Sequence, residues 1–258
     1  MRTIAIATMT HDGRGEPNLQ RASLAALAEQ GHRAYIADGG SSHSFLDYAR
    51  QLGHHIESTE PGPYVQQRQA LHAARDNADG VLWTEPDKVQ FIDERLEGVL
   101  NYCQTAPGAV VVARSAAAFS TFHFRQRQLE EALNQQLSDD LGIEGDFTYG
   151  PKFFLSSCID LPEELEPGEH GGDTWGALYF LLGATTTPIT LIEEGCACPD
   201  DKRTSFDFYG HRATQIETVY KGFLRGAGRE LPISIIISTQ DVPRTPNTAF
   251  RVEYASRP

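Results

Sequence analysis

The sequence contains little positive charge. Its 258 residues include 22 lysine and arginine residues against 35 aspartate and glutamate residues, so the formal net charge is -13. Proteins that bind an extended stretch of nucleic acid draw affinity from lysine and arginine side chains that neutralise phosphates. The composition therefore argues against an extended nucleic-acid surface, and we expect no nucleic-acid partner.

Cysteine is also scarce. Cys103, Cys158, Cys196 and Cys198 are too few and too scattered to form a disulfide framework in a chain of this length. Cys196 and Cys198 could bind a soft metal, but no second pair of cysteine or histidine residues stands near them. This pattern favours free thiols in a loop.

Long apolar runs are absent as well. No run approaches the roughly eighteen apolar residues that a membrane span needs. The apolar start at residues 1–7 is too short for a signal peptide and lacks a cleavage region, so it is interpreted as a first strand. With 40% hydrophobic and 22% charged residues, the composition is typical of a globular protein. We expect a cytoplasmic protein with no transmembrane segment.

Two common nucleotide-binding motifs are incomplete. Gly13 and Gly15 follow the first predicted strand, but Asn18 stands where the third glycine of G-x-G-x-x-G would be. The sequence also lacks a G-x-x-x-x-G-K-[ST] segment, which cradles phosphates in ATP-hydrolysing proteins. Dinucleotide-binding and ATP-hydrolysing functions are therefore disfavoured.

Strands and helices are predicted to alternate along the first half of the chain. The predicted strands lie at about residues 3–8, 33–37, 54–58, 80–84 and 109–113. Alternation at this rhythm predicts right-handed crossovers and a mainly parallel sheet. The second half is predicted to contain helices at about 126–141, 173–182 and 214–225 and strands at 189–192 and 233–238. We predict a single α/β domain that ends in a tail over residues 241–258.

The segment VLWTEPDK at residues 81–88 places acid at the end of a buried strand. Its apolar run ends in Glu85 and Asp87, and Pro86 between them fixes the turn. Open α/β sheets bind ligands at the carboxyl ends of their strands, and two carboxylates at this spacing can hold a hard divalent cation. The alternative is a purely structural role, in which one carboxylate only caps the following helix.

This segment and three others resemble the nucleotide-sugar-binding half of GT-A fold glycosyltransferases, most closely those of family 2. The first strand ends in a small polar run, the second ends in DGGSS at residues 38–42, and a helix follows with Gly62 before it and Arg68 within it. The acidic pair then stands where that family has D-x-D. Looser similarity at residues 149–154 and 169–175 covers the region around the acceptor site of these enzymes.

The resemblance implies a GT-A fold, which is a Rossmann-like, mainly parallel sheet flanked by helices. Residues 1–115 would form the nucleotide-sugar-binding half and residues 116–240 the acceptor-binding half. Asp38 matches the residue that contacts the nucleotide base or ribose, and Thr8 and Thr10 would lie along the nucleotide. Arg68 matches a helix residue near the base and phosphates, where its guanidinium could make paired hydrogen bonds.

The same resemblance implies a divalent cation, Mg²⁺ or Mn²⁺. Glu85 and Asp87 match the pair that holds this ion on the diphosphate, although glutamate replaces the first aspartate and Lys88 follows directly. His211 matches a third metal ligand that some GT-A enzymes use, and a packing role is its alternative. Asp173 is the candidate base if the reaction inverts the configuration at the anomeric carbon of the sugar. A role as a helix N-cap is its alternative.

These roles imply a metal-dependent glycosyltransferase of the hexosyltransferase type. It would move a sugar from a UDP- or GDP-linked donor to a small-molecule or soluble acceptor. Two alternatives stay open: a degenerate scaffold that binds a nucleotide or a protein partner without catalysis, and a sugar-phosphate nucleotidyltransferase. The donor, the acceptor, the stereochemistry and any homo-oligomer are left open by the sequence.

Overall fold

Strands and helices alternate strictly in the first half of the chain. The computed structural model describes residues 1–13, 17–165, 175–198, 209–229, 235–237 and 252–254, and it describes only the backbone of 209–214, 235–237 and 252–254. The elements of the first half are β1 (Ile4–Thr10), α1 (Pro17–Glu29), β2 (Ala34–Asp38), α2 (His43–Gln51), β3 (His55–Ser58), α3 (Pro63–Arg75) and β4 (Gly80–Trp83). Each predicted strand of this half is present to within two residues.

The second half is less regular than the first. Its elements are α4 (Val89–Glu94), α5 (Leu96–Cys103), β5 (Ala109–Arg114), α6 (Ala116–Ser120), α7 (Phe124–Leu141), β6 (Lys152–Leu155), a 3₁₀ turn (Ser156–Cys158), α8 (Ala177–Ala184), β7 (Ile189–Gly195), α9 (Tyr209–Gly226), β8 (Ile235–Ile237) and β9 (Val252–Tyr254). Helices α4 and α5 are separate because the backbone at Arg95, between them, leaves helical geometry with φ -125°.

Seven strands form the central sheet in the order β3-β2-β1-β4-β6-β5-β7. Strand β6 is antiparallel to β4 and β5, and the other neighbouring strands are parallel. The mainly parallel sheet that the sequence predicted is therefore confirmed. Strand β6 was not predicted, and β8 pairs with β9 in a separate antiparallel ribbon.

Helices cover both faces of the sheet. Trp83 and Val81 of β4 point towards the face that α3, α7, α8 and α9 cover, and Leu82 points towards the face that α1, α2, α4 and α5 cover. All four residues of β4 are buried, which explains why its sequence is apolar without alternation. No helix in the described part of the chain is long and apolar enough to cross a bilayer.

Candidate functional site

Strands β1, β2 and β4 end side by side, and the polar residues that follow them lie at one edge of the sheet. Thr10 pairs in register with Asp38, and Ala7 pairs with Trp83. The Thr84 N–H then donates to the Ala7 carbonyl at 3.0 Å. Because these strands are parallel, Glu85 lies at the same carboxyl edge as Thr10 and Asp38. This is the edge at which open α/β sheets bind ligands.

Asp38 holds the loop that follows β2. Its Oδ1 accepts a hydrogen bond from Thr10 Oγ1 at 2.9 Å, and its Oδ2 accepts from the N–H groups of Gly40 at 3.0 Å and Ser41 at 2.9 Å. The side chain is buried. Asp38 therefore shapes the backbone beside the predicted base and ribose position, and direct contact with the nucleotide stays a prediction.

A second aspartate, which the sequence reasoning missed, joins the loops after β1 and β2. Asp12 Oδ1 accepts a hydrogen bond from the Ser42 N–H at 3.0 Å, and its Oδ2 accepts from Ser42 Oγ at 2.5 Å. The Asp12 N–H donates to Ser41 Oγ at 2.9 Å. The hydrogen bonds from Ser42 lower the pKa of Asp12 and keep it ionised. A lone Asp in a glycine-containing loop gave no pattern that could have predicted this role.

Thr8 and Thr10 both lie in buried parts of β1 but have different partners. Thr10 Oγ1 is hydrogen-bonded to Asp38, whereas the buried Thr8 Oγ1 has no hydrogen-bond partner among the described residues. Buried hydroxyl groups are almost always hydrogen-bonded, so an unpaired one near the end of β1 favours a polar ligand. The position of Thr8 along a nucleotide stays a prediction.

Helix α3 carries Arg68 and a glutamine that the sequence reasoning missed. Gln66 Nε2 donates to the carbonyl groups of Thr10 at 2.9 Å and Ala37 at 3.1 Å, and this fixes the start of the helix against β1 and β2. A Cβ at Gly39 would lie 2.7 Å from Gln66 Oε1, so any larger residue at position 39 would displace the Gln66 side chain. Gln66 gave no sequence signal, because a glutamine on a helix usually faces solvent.

Arg68 is half-buried on the same helix, and its buried Nε has no hydrogen-bond partner within the part of the chain that the structure describes. An unsatisfied guanidinium N–H group favours an anionic or carbonyl-containing ligand, since a buried unpaired donor is costly. The role of Arg68 near the base and phosphates stays a prediction.

The carboxylates of the acidic pair form ion pairs with a lysine of the same chain. Lys88 Nζ lies 2.5 Å from Glu85 Oε2 and 3.3 Å from Asp87 Oδ1. The three side chains are partly exposed, at 24% for Lys88, 27% for Glu85 and 30% for Asp87. Burial lowers the pKa of Lys88, but the charges of Glu85 and Asp87 outweigh burial and raise the pKa above its ordinary value. The lysine is therefore charged at neutral pH.

The donor chemistry of this pair fits a divalent cation. Carboxylate oxygens are the ligands that Mg²⁺ and Mn²⁺ prefer, and the ammonium group marks the position that a cation takes between Glu85 and Asp87. Among the described residues, no group of three or more His, Cys, Asp and Glu side chains is arranged to hold a metal ion. A metal at this pair would therefore need further ligands, such as phosphate oxygens.

Backbone geometry brings the segment before β6 directly against Glu85. A Cβ at Gly150 would lie 2.5 Å from Glu85 Cδ, so any larger residue at position 150 would displace this carboxylate. The neighbouring Tyr149 ring contacts two cations, with Lys88 Nζ and Arg114 Cζ each 5.8 Å from its centroid. Burial raises the pKa of Tyr149 despite the charge of Lys88, so its hydroxyl stays neutral.

Arg114, at the end of β5, forms the centre of a buried charge cluster beside Tyr149. Its Nε lies 2.6 Å from Asp146 Oδ2, and its Nη2 lies 2.7 Å from both Glu130 Oε2 and Thr148 Oγ1. Its guanidinium is also 4.5 Å and 4.4 Å from the ring centroids of Phe119 and Phe122. The cluster fixes the turn before Tyr149 and Gly150, and the sequence reasoning did not identify it.

Two predicted residues are not placed by the structure. Asp173 lies outside the described residues. The backbone of His211 lies in the first turns of α9, but its side chain is outside what the structure describes. Their predicted roles as catalytic base and third metal ligand stay predictions.

Solved structures that resemble this chain include glucosyl-3-phosphoglycerate synthase from Mycobacterium tuberculosis. Its complex with UDP matches with a TM-score of 0.59 and 16% identity, over 99% of this chain and 88% of that chain. The complex with Mn²⁺ and UDP-glucose matches at 0.56 and 16%, over 89% and 80% of the two chains. A complex with Mn²⁺, UDP-glucose and phosphoglyceric acid matches at 0.58 and 15%, over 93% and 85%.

This chain has the GT-A fold. The comparison confirms the architecture that the resemblance in the first ninety residues implied. No protein-family model matches the sequence, and no curated protein matches it.

Proposed function

We propose that this GT-A protein is a glycosyltransferase of the hexosyltransferase type that uses a nucleoside diphosphate sugar. The observation that carries the proposal is the position of Glu85 and Asp87 at the carboxyl edge of the sheet. Among the described residues, Thr8 Oγ1, two residues before the end of β1, and Arg68 Nε on α3 have no hydrogen-bond partner. A cation-binding acidic pair together with such unsatisfied polar groups would suit a diphosphate.

The donor that we propose is a UDP-linked hexose, with a small molecule as the acceptor. Solved neighbours with the same fold were crystallised with UDP-glucose, Mn²⁺ and phosphoglyceric acid. A GDP-linked donor and Mg²⁺ are the alternatives that the resemblance leaves open. The negative net charge of the chain is compatible with such a donor, because Arg68 and Lys88 would supply local positive charge to the phosphates.

A divalent cation held by Glu85 and Asp87 would neutralise the charge that develops on the leaving diphosphate. Within this scheme Arg68 binds the phosphates or base, and Thr8 supplies a hydroxyl to the nucleotide. Asp38 and Asp12 fix the loops that enclose it. Asp173 would accept the acceptor proton in an inverting reaction, and His211 would complete the metal ligands.

One observation favours a second candidate, a scaffold that binds a nucleotide without catalysis. The ammonium of Lys88 already neutralises part of the charge of Glu85 and Asp87, so the pair needs no metal to be stable. Turnover separates the two candidates. A scaffold would bind the nucleotide but would not cleave UDP-glucose to UDP.

A thermal-shift screen tests the proposal. UDP-glucose, GDP-glucose and their free diphosphates are added with and without Mn²⁺. A ligand that binds only the folded state raises the melting temperature. At a hundredfold excess over Kd, it adds about 2.7 kcal/mol to the free energy of unfolding. We expect a rise with at least one of these compounds. No rise with any of them would contradict the proposal.

A further inference from the structure

The ammonium of Lys88 lies between the two carboxylates of the acidic pair and contacts both. It reaches Glu85 Oε2 at 2.5 Å and Asp87 Oδ1 at 3.3 Å. Lys88 is also the residue that precedes α4, so its backbone is tied to the start of that helix. The ammonium group can swing away from the pair, but it stays within reach of whatever binds there.

A divalent cation and the ammonium group exclude one another at this position. A metal ion binds carboxylate oxygens at about 2.0–2.6 Å, which is the space that Nζ takes against Glu85. Two like charges about 4 Å apart near a protein surface also repel strongly. The ammonium must therefore leave the pair before a metal can bind.

We propose that Lys88 and the divalent cation are alternative occupants of the Glu85 and Asp87 pair, and that a bound diphosphate drives the exchange. The proposal rests on the nucleotide-sugar function above. The diphosphate supplies oxygen ligands to the metal and a new anionic partner to the displaced ammonium. Without it, the metal has to separate Lys88 from both carboxylates and leave the ammonium with no comparable partner.

This exchange makes metal binding conditional on the nucleotide. Mn²⁺ alone binds weakly, and UDP strengthens its binding both by ligating the ion and by accepting Lys88. Coupling between two ligands is reciprocal, so Mn²⁺ strengthens UDP binding by the same factor. Lys88 is thus a positioning residue for the metal and sets the order in which the site fills.

Titration with Mn²⁺, followed by the electron paramagnetic resonance signal of the free ion, tests the exchange. The titrations use the full chain with and without UDP. Lys88→Met removes the charge and keeps most of the length of the side chain, and Lys88→Arg keeps the charge. Arg50→Gln is the matched control, because it removes an exposed charge paired with Asp47 on α2, which runs away from the ligand edge.

We expect Lys88→Met to bind Mn²⁺ alone at least tenfold more tightly than the wild type. We expect Lys88→Arg and Arg50→Gln to bind it as the wild type does. UDP should strengthen Mn²⁺ binding by a larger factor in the wild type than in Lys88→Met. A gain in affinity is not the result expected when the folded pair of carboxylates is lost, so it supports the exchange.

An unchanged or weaker Mn²⁺ affinity in Lys88→Met would overturn the exchange, and so would equal effects of UDP on the wild type and this variant. UDP-glucose turnover is measured on the same preparations. Absent turnover alongside the tighter Mn²⁺ binding of Lys88→Met would reject the proposed function and leave the exchange standing. UDP-glucose turnover alongside an unchanged Mn²⁺ affinity in Lys88→Met would support the proposed function and reject the exchange.

Discussion

The guanidinium of Arg114 and the carboxylate of Asp146 face one another in the interior, with Nε 2.6 Å from Oδ2 and Nη2 3.0 Å from Oδ1. Glu130 lies on the other side of the same guanidinium and is fully buried. Removing the cation from such a group leaves buried carboxylates without compensation, which typically costs 3–5 kcal/mol.

We therefore predict that Arg114→Met lowers the free energy of unfolding by about 3–5 kcal/mol at pH 7, as measured by urea denaturation. The control is Arg50→Gln, which breaks an exposed ion pair and should change stability by less than about 1 kcal/mol. Equal effects of the two substitutions would mean that the buried cluster stabilises the fold no more than an exposed ion pair does.

The same cluster predicts how stability depends on pH. Burial raises the pKa of Asp146, but the hydrogen bonds and charge of Arg114 lower it by a larger amount. The net pKa therefore lies well below its ordinary value. A lowered pKa stabilises the fold above the unfolded value of about 3.9, and this stabilisation is lost as the pH falls below it. Urea denaturation should show a decline in stability between about pH 4 and pH 2. Asp146→Asn should weaken that decline, and an unchanged decline would contradict the assignment.

Arg68 provides a test of the nucleotide pocket that separates binding from folding. Its Nε hydrogen-bonds to no other residue that the structure describes, so Arg68→Ala should leave stability nearly unchanged. A hydrogen bond to a charged group contributes about 1.5–3 kcal/mol, which corresponds to roughly 10- to 100-fold weaker UDP binding. Calorimetric titration with UDP measures this loss.

Arg75 is the matched control on the same helix, because it contacts the Ile159 carbonyl and Asp76 rather than the ligand edge. Arg75→Ala should leave UDP affinity unchanged. Wild-type affinity in Arg68→Ala would remove Arg68 from the site.

The first half of the fold could be predicted because its signals are local. Apolar runs such as the one before Glu85 form strands that are buried on both faces, and the helices between them leave few alternatives to a parallel sheet. The second half could not be predicted as well. Strand β6 carries a buried lysine, Lys152, whose Nζ donates to the Tyr149 carbonyl at 2.9 Å, and a lysine in a four-residue segment does not indicate a central strand.

The site was predictable only in outline. The sequence placed acid after β4 and after β2 correctly, because a strand end is a local feature. The partners of those acids are long-range. Asp146 meets Arg114 across 32 residues, and Gln66 meets Thr10 across 56. The contact of Lys88 with both carboxylates depends on the turn geometry at Pro86, which a sequence pattern does not specify.

The most direct test of the central claim is the release of UDP from UDP-glucose in the presence of Mn²⁺, with and without small phosphorylated acceptors. Four proteins are compared: the wild type, Glu85→Gln, Asp87→Asn and the surface control Asp47→Asn. We predict release by the wild type and the control, and release at least about 100-fold slower in the other two, since each loses a ligand of the catalytic cation. Wild-type rates in Glu85→Gln and Asp87→Asn, or no release by any of the four, would contradict the account.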